Sequence, residues 1–170
     1  MTTTLIEKQF EANLWANVEL MTLCATLSES QLAVEAEGVY GRIQPLAAHI
    51  VSGEGNYLRD LSGSNPWDEG TDWDSLSMKE VLEMAKKSGA ALLECASKID
   101  PDKVIEYEDD DEFAVFDMWT VANQAILHGI EHRTQIKVLL TKLGIEHSGL
   151  SVWEFASSIG KLTITPKEKR

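Results

Sequence analysis

Between Thr4 and Leu27 the apolar positions Ile6, Phe10, Leu14, Val18, Met21 and Ala25 recur three or four residues apart, the period that puts one stripe along an α-helix. Ser28, Glu29 and Ser30 break that stripe, and Gly38 and Gly41 mark a loop. A second periodic segment covers about Arg42 to Leu61, with Pro45 where a helix accepts proline, in its first turn. From Ser62 to Ser75 the chain carries Gly63, Asn65, Pro66 and Gly70, so a long loop is expected. Ser77 and Glu80 have capping-box spacing, and the apolar positions after them continue a third helix to about Lys98, just before Asp100-Pro101. Between Pro101 and Asp117 short apolar runs flank the acidic stretch Glu108 to Glu112, which predicts an extended hairpin or an irregular crossing. The fourth and longest helix spans about Asp117 to Leu143 and stops at Gly144, and a short fifth runs from Ser151 to Ile159.

Four long striped helices joined by two lengthy connections predict an all-α chain. The architecture is a four-helix bundle with a long loop between helices two and three, a short extended segment between helices three and four, and a short C-terminal helix. At 170 residues and 44% hydrophobic, the chain buries one good core, so a single domain over residues 1–165 is expected, with a charged, frayed tail over 166–170. Trp67 and Trp73 in the long loop are read as anchors to the core, the alternative being a lid over a pocket.

Charge and cysteine usage narrow the class. A net charge of -13 with only 15 scattered basic residues repels phosphate backbones, so no nucleic-acid partner is expected. No apolar run reaches the length of a bilayer span and no secretory leader is recognisable, so neither a membrane partner nor export is expected, and the location is read as cytoplasmic. Cys24 and Cys95 sit inside helical stripes and read as buried small hydrophobes.

The chemistry concentrates in histidines. His128 and His132 are four residues apart on the fourth helix, nearly aligned and about one turn apart, so the two rings are placed to chelate one ion. The bland alternative is a pair of core histidines satisfied by neighbouring carbonyls and carboxylates. His49 lies at the edge of the second helix's apolar stripe, where an adjacent helix can meet it. Three imidazoles from two helices make a nitrogen site with open coordination positions, acceptable to zinc, nickel, iron or manganese. His147, past the last helical turn, reads as solvated surface. The stretch His128 to His132 also matches the HxxEH pattern of inverted zinc proteases, which makes Glu131 a candidate general base, although a solvent-facing Glu131 is the plainer account. Glu54, in the stripe of the second helix, is the other candidate base; Glu54 and Tyr57 are also placed to support the metal ligands from behind, although helix packing is the plainer account of both.

The segment Leu46-Ala47-Ala48-His49-Ile50, together with His128-Gly129-Ile130-Glu131-His132-Arg133-Thr134-Gln135-Ile136, resembles the DinB-like bundles over nearly the whole chain. Leu14-Trp15-Ala16-Asn17, Gly41 and the Gly63 to Trp67 loop support the likeness. The resemblance implies that His49, His128 and His132 are metal ligands and that the chain forms a homodimer. Thr134 stands where the family usually has glycine. Thiol-dependent transferases and isomerases occur among such relatives, which implies transfer of a low-molecular-weight thiol to a small electrophile. A metal-dependent hydrolase and a non-catalytic metal-binding interaction module are the alternatives.

Overall fold

The structure, a computed structural model, describes residues 3–108 and 113–165. Its helices are α1 (Leu5–Cys24), α2 (Glu29–Leu32), α3 (Ile43–Ser62), α4 (Met78–Ala96), α5 (Met118–Lys142) and α6 (Val152–Ser158), with strands β1 (Val104–Glu108) and β2 (Phe113–Asp117) between α4 and α5. Helix starts are fixed locally. Thr4 with Glu7, Ser77 with Glu80 and Ser151 with Glu154 each form a capping box that satisfies orphan N–H groups of a first turn. The α3 helix stops at Gly63, whose φ of 79° suits a residue without a Cβ.

Two boundaries differ from the sequence reading, and the expected hairpin is found. The first helix ends at Cys24 rather than Leu27, its last carbonyls taken up by turn hydrogen bonds from Ala25, Thr26 and Leu27. The segment read as a break then forms a one-turn helix, α2, because Ser28 and Gln31 make their own capping box. The extended segment is an antiparallel pair in the register Val104↔Asp117 to Glu108↔Phe113. Most of the acidic run, residues 109–112, lies outside the described residues, as does the charged tail, residues 166–170.

The four long helices close into a ring in which α1 packs on α4, α4 on α3, α3 on α5 and α5 back on α1. Its interior is divided. One apolar cluster, containing Met21, Ile43, Ile50, Val81, Ile136 and Leu139, fills one end, and a second, containing Phe10, Leu58, Leu92, Met118 and Ala125, fills the other. Between them every long helix contributes a buried polar side chain: Asn13 and Asn17 from α1, Glu54 from α3, Ser88 from α4 and Arg133 from α5. Cys24 and Cys95 are buried free thiols, as expected, and burial pushes Cys24 up to about 12. Among the described residues no helix is long and apolar enough to cross a membrane.

Candidate metal centre

Two helices supply the rings. On α5, His128 and His132 are 9% and 8% exposed, and the four-residue interval stacks them on the side that meets α3. His49 projects from α3 at its exposed margin. The three ring centroids form a near-equilateral triangle with sides of 4.5, 4.6 and 4.8 Å. One nitrogen from each ring can be chosen so that all three lie within 4.8 Å of one another, a group that could hold a metal ion. His128 Nε2 and His49 Nε2 are 3.1 Å apart, close to the roughly 3.3 Å expected of two nitrogens around one tetrahedral zinc-sized ion.

Protonation favours ligation. Burial, then the neighbouring His132 and His49, then Arg133 hold His128 down at about 4, and burial followed by His132 lowers His49. These two rings therefore offer lone pairs at neutral pH. Gln135 Oε1 lies 3.2 Å from His132 Nδ1, and with Nδ1 protonated the contact leaves the Nε2 lone pair free for ligation. His128 Nδ1 is buried with no hydrogen-bond partner among the described residues. In either neutral tautomer the metal-free ring leaves that atom unpaired, at a cost of about 1–3 kcal/mol. The donor set and the spacing of the His49 and His128 Nε2 atoms both fit a divalent ion.

The walls are aromatic. Tyr40 stands 6.1 Å from the His49 ring and 6.4 Å from His132, while Tyr57 meets His128 edge-on at 5.6 Å. Gly53 is required here: a Cβ at that position would fall 2.7 Å from His128 Cε1. Beside His49 opens a cavity of about 310 Å³ lined by Tyr40, Ala48, Ser52, Trp73 and Asp74. The Gln44 amide donates to the carbonyls of Trp73 and Leu76 and so fixes this wall. Trp67 anchors the loop, its Nε1 donating to the Val51 carbonyl at 3.0 Å and its ring meeting Trp73 edge-on. Trp67 is thus an anchor, whereas Trp73 combines packing with a place on the cavity wall.

Neither candidate base belongs to the histidine group. Glu131 is exposed on α5. Glu54 is 1% exposed and fully engaged: Oε1 accepts from Asn13 Nδ2 at 2.9 Å and Asn17 Nδ2 at 2.8 Å, and Oε2 accepts from the Ser88 hydroxyl. The same asparagines accept from Arg133 Nη1, at 2.8 and 2.6 Å. Burial pushes the Glu54 carboxyl up and pulls Arg133 down to about 10, each shift opposed by the other's charge. His147 is half-buried rather than free on the surface, within 3.0 Å of the Thr141 hydroxyl.

With the geometry established, the chain matches the model of the DinB family over residues 1–159. It belongs to the DinB family. The structure of YfiT from Bacillus subtilis superposes with a TM-score of 0.65 at 14% identity, covering 86% of this chain and 91% of that one. YfiT is described as a probable metal-dependent hydrolase with an unusual four-helix bundle topology, and at this identity the likeness shows the fold. No curated protein matches this DinB-family chain.

Proposed function

We propose that this DinB-family chain is a metal-dependent enzyme in which His49, His128 and His132 hold one divalent ion, and that it transfers a low-molecular-weight thiol to a small electrophile. The observation that carries this reading is the histidine group itself, three imidazoles from two helices with no carboxylate in the cluster. A divalent ion held by these nitrogens would supply Lewis acidity to a small molecule in its open coordination positions. Zinc, nickel, iron and manganese all accept such a donor set.

The protein's own part is positioning. His49 and His128 are kept unprotonated, and Gln135 orients His132. The cavity framed by Tyr40 and Trp73 beside His49 has room for a small substrate. With Glu131 turned to solvent and Glu54 locked in the core, neither reaches the triad as a base. That favours a nucleophile which ionises easily. An ordinary thiol does so near pH 8.5 unaided, whereas water, at about 15.7 when free, depends on the ion to bring it near 7.

Hydrolysis is the second reading, favoured by the description of YfiT as a probable metal-dependent hydrolase. Elemental analysis of protein purified without an affinity tag, beside His128→Ala, tests the ion: equal metal in both removes either reading. The loaded protein is then offered small thiols with a panel of electrophiles, and a panel of esters and amides. Thiol consumption that disappears with chelator supports transfer. Hydrolysis without thiol consumption moves the assignment to the second reading.

A further inference from the structure

The opposite side of α5 carries a different feature. Between α1, α5 and the strap that leads into α6 lies a cavity of about 420 Å³, whose walls include Ile126, Leu127, Ile130 and Val152. Asn13 and Arg133 also line it, and Arg133 is the one charged side chain that does so. In a chain with 28 acidic residues, no carboxylate among the described residues lines this space.

Arg133 is only 5% exposed, yet its donors are not exhausted. Nη1 serves Asn13 and Asn17, and among the described residues Nε and Nη2 have no acceptor. The two asparagines accept from Arg133 and donate to Glu54, which holds the buried charges apart instead of in a direct ion pair. A guanidinium with Nε–H and one Nη–H unspent presents the fork that takes a carboxylate bidentately.

The strap is also held under strain. Leu150, on the cavity wall, has φ 58°, a left-handed conformation that is unfavourable for a residue with a Cβ. It is pinned from both sides: Lys137 donates to the Gly149 carbonyl at 2.7 Å, and Glu154 accepts from the Gly149 and Ser151 N–H groups at 2.8 Å. Strain maintained against a cavity wall marks a shaped site.

We propose that this cavity is a binding site for a small apolar monocarboxylate, its head group on Arg133 Nε and Nη2 and its hydrocarbon part against Ile126, Leu127, Ile130 and Val152. The site lies on the α1 side of α5, separate from the histidine group and independent of the chemistry performed there.

Octanoate is the probe and 1-octanol its uncharged control, titrated into the full chain by calorimetry and by the NMR signal of the Arg133 Nε–H. Saturable octanoate binding that shifts that signal, at least tenfold tighter than 1-octanol, is the expected result. Leu127 is 58% exposed at the cavity wall, so Leu127→Asp leaves the fold intact while setting a repelling carboxylate there, and should weaken octanoate at least tenfold. Equal binding of acid and alcohol, an unmoved Arg133 signal, or unchanged affinity in Leu127→Asp each overturns the proposal. So does octanoate binding that is lost in His49→Ala and kept in Leu127→Asp, because the carboxylate would then sit among the histidines.

Discussion

Two polar clusters occupy the middle of this bundle, and they are built to opposite rules. In the Asn13, Asn17, Glu54 and Ser88 group each carboxylate oxygen has a donor and each asparagine both gives and accepts. Five residues before Glu54 on α3 comes His49, where three imidazoles crowd together, two of them sharing a 3.1 Å contact and one carrying a buried nitrogen with no partner among the described residues. A satisfied network specifies how four helices align, whereas an unsatisfied one is held ready for something to complete it. The difference teaches which cluster to assign to stability and which to chemistry, and it is open to direct attack.

The heaviest blow falls on the satisfied cluster. Glu54→Ala leaves Arg133 buried without its counter-charge and strands the Nδ2 groups of Asn13 and Asn17, a loss of about 3–5 kcal/mol in urea unfolding of the metal-free protein. Glu54→Leu combined with Arg133→Met should cost clearly less than the sum of its single changes, since neither charge is then left alone. Additive losses would mean that the two charges are not coupled through the asparagines.

Gly53→Ala strikes where the histidine group meets the packing. The new methyl would land 2.7 Å from His128 Cε1, so ring or helix must shift, at about 1–3 kcal/mol. Displacing the ring should also lower metal affinity by about tenfold or more, measured by chelator competition. A variant with native affinity would show that the placement of His128 by α3 is immaterial.

How far the sequence carries this picture differs from part to part. The spans of α1, α3, α4 and α5 were readable because each buries a continuous stripe, and the capping spacings at Ser77 and Ser151 sharpened the starts of α4 and α6. The one-turn α2 escaped because a four-residue helix carries no period, although Ser28 and Gln31 had the capping spacing. His128 and His132 announce themselves by their interval. His49 does not: its partners lie 79 residues further along the chain, and only its place at a stripe edge and the family likeness pointed to it. The polar layer was the least legible feature, since Asn13, Asn17, Ser88 and Arg133 each look like one polar residue among many until the helices are aligned. Glu54 within an apolar stripe was the available signal, and it was read as a candidate base because nothing local reveals three donors arriving from other helices.

Acid should separate the clusters by a graded response. Burial and its charged neighbours hold His128 at about 4 against an ordinary 6.5, so the unfolded chain binds more protons in that interval. The stability this ring contributes is present above pH 6.5 and is lost as the pH falls toward 4. Urea melts of the metal-free protein at pH 7.5 and 4.5 should therefore show a larger loss for wild type than for His128→Gln. Equal losses would mean that the ring is not held neutral by the fold.

The smallest change in stability should come from the residue on which the chemistry most depends. His49 is exposed at the rim of α3, and apart from its contacts with His128, His132 and Tyr40 its ring supports nothing that the core needs. His49→Ala should move the metal-free unfolding free energy by no more than about 0.5 kcal/mol, the ordinary scale of a surface substitution. Yet with one of three nitrogens gone the bound metal should fall to background in elemental analysis, and the stabilisation that added metal gives the wild type should vanish with it. If His49→Ala cost as much stability as Glu54→Ala without added metal, the histidine group would be a structural element like its neighbour, and the contrast between a finished cluster and a waiting one would not hold.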